Sequence, residues 1–226
     1  MDGLDGFIFS FFNLRVMVEY LPDIAAGFLL TVVLAVLVVI SGLAAGLSLA
    51  VLRSFGVRPL NWLIIFTVDL FRALPSLVII MLLFFGLPTA GISMSGFTAT
   101  WLSLTLVLMS FSEEIFWAGI TAVQKGQWEA ARSTGLGYLG TLRLVVLPQA
   151  IRMTIPPLTN RAISITKGTA LGSVVGVSEI LGSAQSAMAF SSNPSPLTLG
   201  AIAYLILFVP MIGLGRWIEA RFAWRR

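Results

Sequence analysis

Apolar positions in this chain come in long unbroken runs, not at the spacing of a helix or strand with one wet face. No charged residue lies between Asp23 and Arg53. A helix needs about 20 apolar residues to cross the hydrocarbon core of a bilayer. The run therefore predicts a first span over roughly Ile24 to Leu52. A second is expected from about Leu60 to Gly86, ending at Leu87-Pro88. The uncharged stretch from Ala73 to Ser112 is too long for one crossing. Pro88, Gly91 and Gly96 divide it, so a third span is placed from near Phe97 to near Ile120. The fourth starts near Ile155 and is polar and glycine-rich, with a break expected over Gly168 to Gly176 and a second half-helix to about Phe190. Asn193-Pro194-Ser195-Pro196 reads as a turn. The fifth covers about Leu197 to Trp217. The expected fold class is an all-α membrane protein of five transmembrane helices.

Composition agrees with that pattern. Of 226 residues, 58% are hydrophobic and 11% charged, whereas a water-soluble domain carries about a quarter charged residues. With no cysteine, neither a disulfide framework nor a thiolate metal site is available. With no histidine, the commonest general base and metal ligand is missing as well. The net charge of +4 reads as basic cytoplasmic loops rather than a nucleic-acid surface. No cleavable signal peptide is expected, because Asp2, Asp5 and Glu19 stand where a basic n-region would be.

The charges also orient the spans. Arg53 and Arg58 fall between spans one and two. Lys125, Arg132, Arg143 and Arg152 fall between spans three and four, and Arg216, Arg221, Arg225 and Arg226 close the chain. With five spans these regions share one side, which the positive-inside rule makes cytoplasmic. The N-terminus is then outside and the C-terminus cytoplasmic. The expected organisation is a short external segment over 1–23 and one transmembrane domain over 24–226, with a cytoplasmic loop at about 121–150. Gly42-x-x-x-Gly46 and Gly172-x-x-x-Gly176 have the spacing that lets helix backbones approach closely, within this chain or against a partner.

The cytoplasmic loop is too polar for lipid and too ordered in composition for a loose connector. Trp128 to Thr134 holds good helix formers with an i, i+3 pair in Glu129 and Arg132, and Gly135 is placed to end the helix. Tyr138 to Val146 puts Leu139, Leu142 and Val146 on one face, and Pro148 is expected to stop that segment. Ala130 and Ala131 expose little side chain, which suits a helix received by a partner's groove. A connector lying on the membrane reads equally well from the residues alone.

Glu129-Ala130-Ala131, three residues, Gly135, nine residues, then Val145-x-Leu147-Pro148 resembles the EAA loop of binding-protein-dependent ABC importer permeases, with Val for the usual Ile. Flanking text resembles the polar amino acid branch: Phe71-Arg72-Ala73-Leu74-Pro75, Lys125-Gly126-Gln127, Leu147-Pro148-Gln149-Ala150, Pro156-Pro157-Leu158 with Asn160, and Lys167 with Thr169-Ala170-Leu171. Departures are Glu113 and Trp117, where the branch often has Ala and Arg, and Arg161 and Gly168, where it often has an acid and Asp.

The resemblance implies a type I importer permease fold in the bacterial inner membrane. It implies that Trp128, Glu129, Ala130, Ala131, Arg132, Gly135 and Pro148 belong to a coupling helix docking on a separate ABC ATPase dimer. ATP and magnesium would be bound by that ATPase and no cofactor by this chain, which contains no G-x-x-x-x-G-K-[ST] loop. Other implied partners are a second permease subunit, identical or homologous, an extracytoplasmic substrate-binding protein, and membrane lipid. No nucleic acid is expected, and the chain is read as a transport subunit rather than an enzyme.

A charge near the bilayer centre costs about 2.5–3.5 kcal/mol on insertion scales, so it faces protein or a cavity. Asp69, Arg72, Glu113, Glu114 and Lys167 are therefore candidate substrate-path residues, and the polar Asn160 is a candidate beside them. Each has a structural alternative. Asp69 and Arg72 form an ion pair or contact a zwitterion. Lys167 contacts solute or neutralises Glu113, Glu114 or Glu179. Asn160 serves freed backbone groups. Glu113 favours a cationic solute if it lines the path. Arg161 is expected to snorkel toward the interface. Adjacent helical carboxylates diverge by about 100°, so Glu113 and Glu114 make a poor acid–base pair. The rival reading is an ATP-independent secondary transporter or channel subunit.

Overall fold

The computed structural model describes residues 3–222, and every regular element among them is helical. The α-helices are, in order, α1 (Gly3–Phe11), α2 (Leu14–Glu19), α3 (Leu21–Ser54), α4 (Arg58–Ala73), α5 (Ser76–Met81), α6 (Gly96–Ala122), α7 (Lys125–Ser133), α8 (Tyr138–Thr141), α9 (Leu147–Thr166), α10 (Ile180–Ser191) and α11 (Ser195–Phe222). By length and hydropathy α3, α6 and α11 can each cross a membrane. They occupy the positions of the expected first, third and fifth spans.

The second expected span is not one rod. α4 and the helical stretch Ser76–Ala90 pass the same test only as a pair, bent by 102°. Pro75 is the cause. Its ring disfavours helical backbone in the residue before it, and Leu74 is extended at φ −86°, ψ 133°. The fourth is composite as well. After α9 the chain tightens into a 3₁₀ helix over Lys167–Val175, then restarts as α10, so the break falls where the glycines place it. Neither α9 nor α10 meets the length-and-hydropathy test. The described residues therefore hold three spans by that measure, or four with the bent pair.

Contacts gather the chain into two compact units interleaved along the sequence. The first comprises Met1–Val38, Pro75–Leu104 and Thr166–Ile212; the second comprises Val39–Leu74, Thr105–Ile165 and Gly213–Arg226. α3, α6 and α11 each give one stretch to either unit.

In the first unit, Ile24, Ile180, Ala184 and Ala203 form one buried cluster, and Ile80, Val175 and Val177 another. The N-terminal segment is tied down rather than trailing. The Asn13 backbone N–H donates to Ser195 Oγ at 2.9 Å, and Asn193 Nδ2 donates to the Phe9 carbonyl at 3.1 Å. Glu179 caps α10 by accepting from the Gly182 N–H at 2.8 Å, and its other oxygen accepts from the Tyr204 hydroxyl at 2.6 Å. Gly176 has φ +77° and turns the chain out of the 3₁₀ segment. Of the second glycine pair, Gly172 alone makes a close approach, against Thr100.

The second unit is seated on the first glycine pair. A Cβ at Gly42 would lie 2.8 Å from Leu108 side-chain atoms, and one at Gly46 would lie 2.8 Å from the Met109 carbonyl oxygen. The pair thus lets α3 lie against α6 of the same chain. Between apolar helices in lipid, such close packing supplies the attraction that water exclusion supplies elsewhere. Phe116, Ile120, Val123, Leu142, Val146 and Leu158 fill the core of this unit.

Candidate coupling loop and charged face

α7 opens after Gln124, whose backbone is extended at φ −56°, ψ 137°. It closes as the sequence predicts: the Thr134 N–H returns to Ala131 O at 3.3 Å and the Gly135 N–H to Arg132 O at 3.0 Å. Gly135 has φ +88°, the left-handed region that glycine enters without a Cβ penalty. Glu129, Ala130 and Arg132 are exposed and Ala131 is buried. Glu129 and Arg132 form no ion pair among the described residues, so the expected internal pair is absent and both charges face outward. Only one of the two alanines lies on the outward face.

Trp128 turns inward and anchors the helix. Its ring stacks on Tyr138 at 5.5 Å, Tyr138 lies 5.7 Å from Phe55, and the Tyr138 hydroxyl donates to the carbonyl of Ser54 at the end of α3. The second loop segment departs from its expected face. Leu142 and Val146 are buried, but Leu139 is 64% exposed. The backbone widens into a π turn over Leu142–Val146, which shifts the register that regular helical spacing assumes. Pro148 does not stop the segment. It occupies the first turn of α9, where its missing N–H is tolerated. The widened turn before it relieves the clash its ring would make with the Leu144 carbonyl. Gln149 Nε2 donates to the Val145 carbonyl at 2.9 Å. A cavity of about 430 Å³ lies in the first unit along Ile24, Phe28 and Ile206; one of about 650 Å³ opens beside the loop, lined by Gln124, Gln127, Gln149, Met153, Pro157 and Phe222.

The intramembrane charges of the second unit resolve into two systems. Arg53 Nη1 lies 3.0 and 3.3 Å from the two oxygens of Glu113, and its guanidinium lies 4.6 Å from the centre of the Trp117 ring. Glu113 is fully buried. It is thus an interior partner of Arg53 rather than a group open to solute, because the last turn of α3 brings a cation to it. Glu114, its neighbour, points elsewhere, as helical geometry requires. Glu114 Oε2 lies 2.8 Å from Arg72 Nη2, and Asp69 Oδ1 lies 3.9 Å from Arg72 Nη1. The close partner of Arg72 is therefore Glu114, and Asp69 is the looser one.

Asn160 donates to the Glu219 carboxylate rather than to backbone. Arg161 lies over the Phe111 ring at 3.8 Å, and Arg72 lies 5.4 Å from the same ring. Lys167, in the first unit, is exposed, lies 5.9 Å from the Phe208 ring and forms no ion pair among the described residues. The neutralisation expected from Glu113, Glu114 or Glu179 is not made, since each carboxylate is already engaged. The Arg53 and Tyr138 contacts were not visible in the sequence, because their partners are 60 and 84 positions away. Arg161 carried a hint, an arginine beside Asn160 in a predicted span.

Long apolar helices, charges paired along their flanks and a polar helix anchored by one face with the other left open define a membrane transport component. Residues 42–224 match the family described as the binding-protein-dependent transport system inner membrane component, and the chain belongs to that family. It is 38% identical over 167 residues to the probable glutamine ABC transporter permease protein GlnP of Bacillus subtilis (strain 168), covering 74% of this chain and 77% of that protein. It is 31% identical to the arginine transport system permease protein ArtQ of the same organism, covering 90% and 94% of the two chains. Among solved structures, an amino acid ABC transporter with histidines superposes with a TM-score of 0.82 at 30% identity, covering 91% of this chain and 96% of that one. The MetNI methionine ABC transporter shares the fold, with a TM-score of 0.69 at 20% identity over 93% of this chain and 99% of that one.

Proposed function

We propose that this permease forms the translocation path for a polar amino acid or related small solute in an ATP-driven importer of the bacterial inner membrane, coupled through α7 to a separate ATPase dimer. A second permease subunit completes the path, and an extracytoplasmic binding protein delivers solute. The chain crosses five times, with α4–α5 and α9–α10 as broken spans, the N-terminus outside and the C-terminus in the cytoplasm. Glu129, Ala130 and Arg132 present the docking face, Trp128 and Ala131 hold it to the permease, and Gly135 and Pro148 bound it. Asp69, Arg72, Glu114 and Asn160 lie toward the solute path, with Lys167 beside the break after α9.

One observation carries the reading. α7 is anchored inward through Trp128 and Tyr138, yet Glu129 and Arg132 are exposed and form no ion pair among the described residues. A lever needs that combination: a rigid hold on the membrane part and an open face for the motor. The test is uptake into proteoliposomes holding the permease, its ATPase and the binding protein, with and without ATP. Uptake requires ATP. Gly135→Pro, which cannot adopt φ +88°, leaves the ATPase associated and hydrolysing but lowers solute imported per ATP at least tenfold. Uptake by the isolated permease, or normal import by Gly135→Pro, overturns the assignment.

A further inference from the structure

We propose that Arg161, with Arg72 at the same Phe111 ring, is a carboxylate-accepting station for the transported solute. This rests on the permease reading above and adds the chemical group that the path selects.

Hydrogen-bond accounting around Phe111 leaves donors without acceptors. The Arg161 guanidinium lies 3.8 Å from the ring centre, and among the described residues it has no carboxylate and no hydrogen-bond acceptor. Arg72, 5.4 Å from the same centre, spends its terminal nitrogens on Glu114 and Asp69. Its Nε is buried and has no partner. The acids that could quench Arg161 are committed elsewhere: Glu219 accepts from Asn160, and Glu113 is held by Arg53. A guanidinium cannot shed its proton, and a charge within a span must face protein or a cavity.

The missing acceptor is best supplied from outside the chain. A guanidinium held against an aromatic face presents a fixed planar fork, which matches the two oxygens of a carboxylate. Glu114 and Asp69 are 50% and 66% exposed at the side chain and lie on Arg72, which shares the Phe111 ring with Arg161, so exposed negative charge belongs to the same cluster. A zwitterionic amino acid carries one group of each sign. Arg161 is half-buried, which leaves the site reachable.

The test uses the permease–ATPase complex in nanodiscs without the binding protein, so that the membrane site alone is read. Equilibrium binding is measured for L-glutamate, for L-glutamine, which lacks the side-chain carboxylate, and for L-isoglutamine, which lacks the α-carboxylate. Binding of glutamate with at least tenfold weaker binding of one amide supports the station and says which carboxylate it holds. Arg161→Gln then weakens glutamate at least tenfold and erases the preference, while Arg161→Lys, keeping charge without the fork, falls between. Arg152→Gln, on the same helix but exposed, serves as the unchanged control. The proposal is overturned if no probe binds at millimolar concentration, if both amides bind as well as glutamate, or if Arg161→Gln binds glutamate normally, which would leave a lipid phosphate as the partner of Arg161. The amide comparison needs no variant, so it decides even if Arg161→Gln fails to fold. If uptake remains ATP-driven and sensitive at Gly135 while these outcomes fail, only the station is lost.

Discussion

In the first unit a fully buried carboxylate, Glu179, has both oxygens used from within: the Gly182 N–H at 2.8 Å and the Tyr204 hydroxyl at 2.6 Å. Thr31 does the same on a smaller scale, accepting from the Ile180 N–H at 3.1 Å and donating to the Gly27 carbonyl at 2.8 Å. Among the described carboxylates of the second unit, only Glu113 is buried and held so. Glu114, Arg72 and Arg161 are only partly buried or exposed, and Glu129 and Arg132 of α7 form no ion pair among the described residues. Basic residues follow the same division: among the described residues, all but Arg15 and Lys167 belong to the second unit. Buried polar groups with every bond made fix one packing. Polar groups left open remain free to exchange water for a partner or a solute. α3 and α11 thus give Thr31 and Tyr204 to the closed network, while α6 gives Glu114 to the open one.

Removing Glu113 probes the one place where the second unit behaves like the first. Glu113→Ala leaves Arg53, 19% exposed at the side chain, without its anion. Breaking one side of a buried pair costs about 3–5 kcal/mol, the largest loss expected here, read as a lower unfolding midpoint in detergent. The double variant Arg53→Met, Glu113→Leu removes both charges and recovers most of it. If that double variant also retains transport, the pair is packing only. If it is stable but inactive, Glu113 belongs with the open network after all.

The matching change in the first unit is Glu179→Ala. It orphans the Gly182 N–H and the Tyr204 hydroxyl, both in half-buried residues, so each costs near the lower end of the about 1–3 kcal/mol of a buried unpaired group. The loss is expected to be about 2–3 kcal/mol, somewhat below that for Glu113, because no full charge is stranded. Binding of the ATPase, measured by co-purification, stays unchanged, since the network closes within its own unit. Loss of ATPase association at unchanged stability would dissolve the contrast between the units.

How much of this was legible beforehand depends on the range of the interaction. The spans at α3, α6 and α11 are written in runs of apolar residues, and the helix stop at Gly135 is local chemistry. The break after α9 was legible because glycines crowd Gly168 to Gly176. The bend at Leu74-Pro75 was missed because the flanking hydropathy continues straight through it. The π turn over Leu142–Val146 hid the exposure of Leu139, since face assignment assumes a regular helix. The partners of Glu113, Tyr138 and Arg161 are set by which helices meet, and no spacing along the chain reports that.

Tyr138→Phe makes the smallest change and asks the sharpest question of the open network. The ring stays, so the stack on Trp128 and the contact with Phe55 survive. Only the hydroxyl bond to the Ser54 carbonyl is lost. One such bond contributes about 1 kcal/mol, so the fold is barely affected. Ser54 follows Arg53, whose guanidinium grips Glu113 inside α6. The hydroxyl is therefore one link in a continuous line from α7, through Trp128 and the end of α3, to the buried Glu113 of α6. If that line carries motion, ATP hydrolysis continues near its normal rate while solute moved per ATP falls about twofold to tenfold. Tyr138→Ala, losing the stack as well, falls further. A ratio unchanged in Tyr138→Phe would mean that Trp128 anchors α7 by stacking alone, and that the route into the membrane runs through the buried Leu142 and Val146 instead.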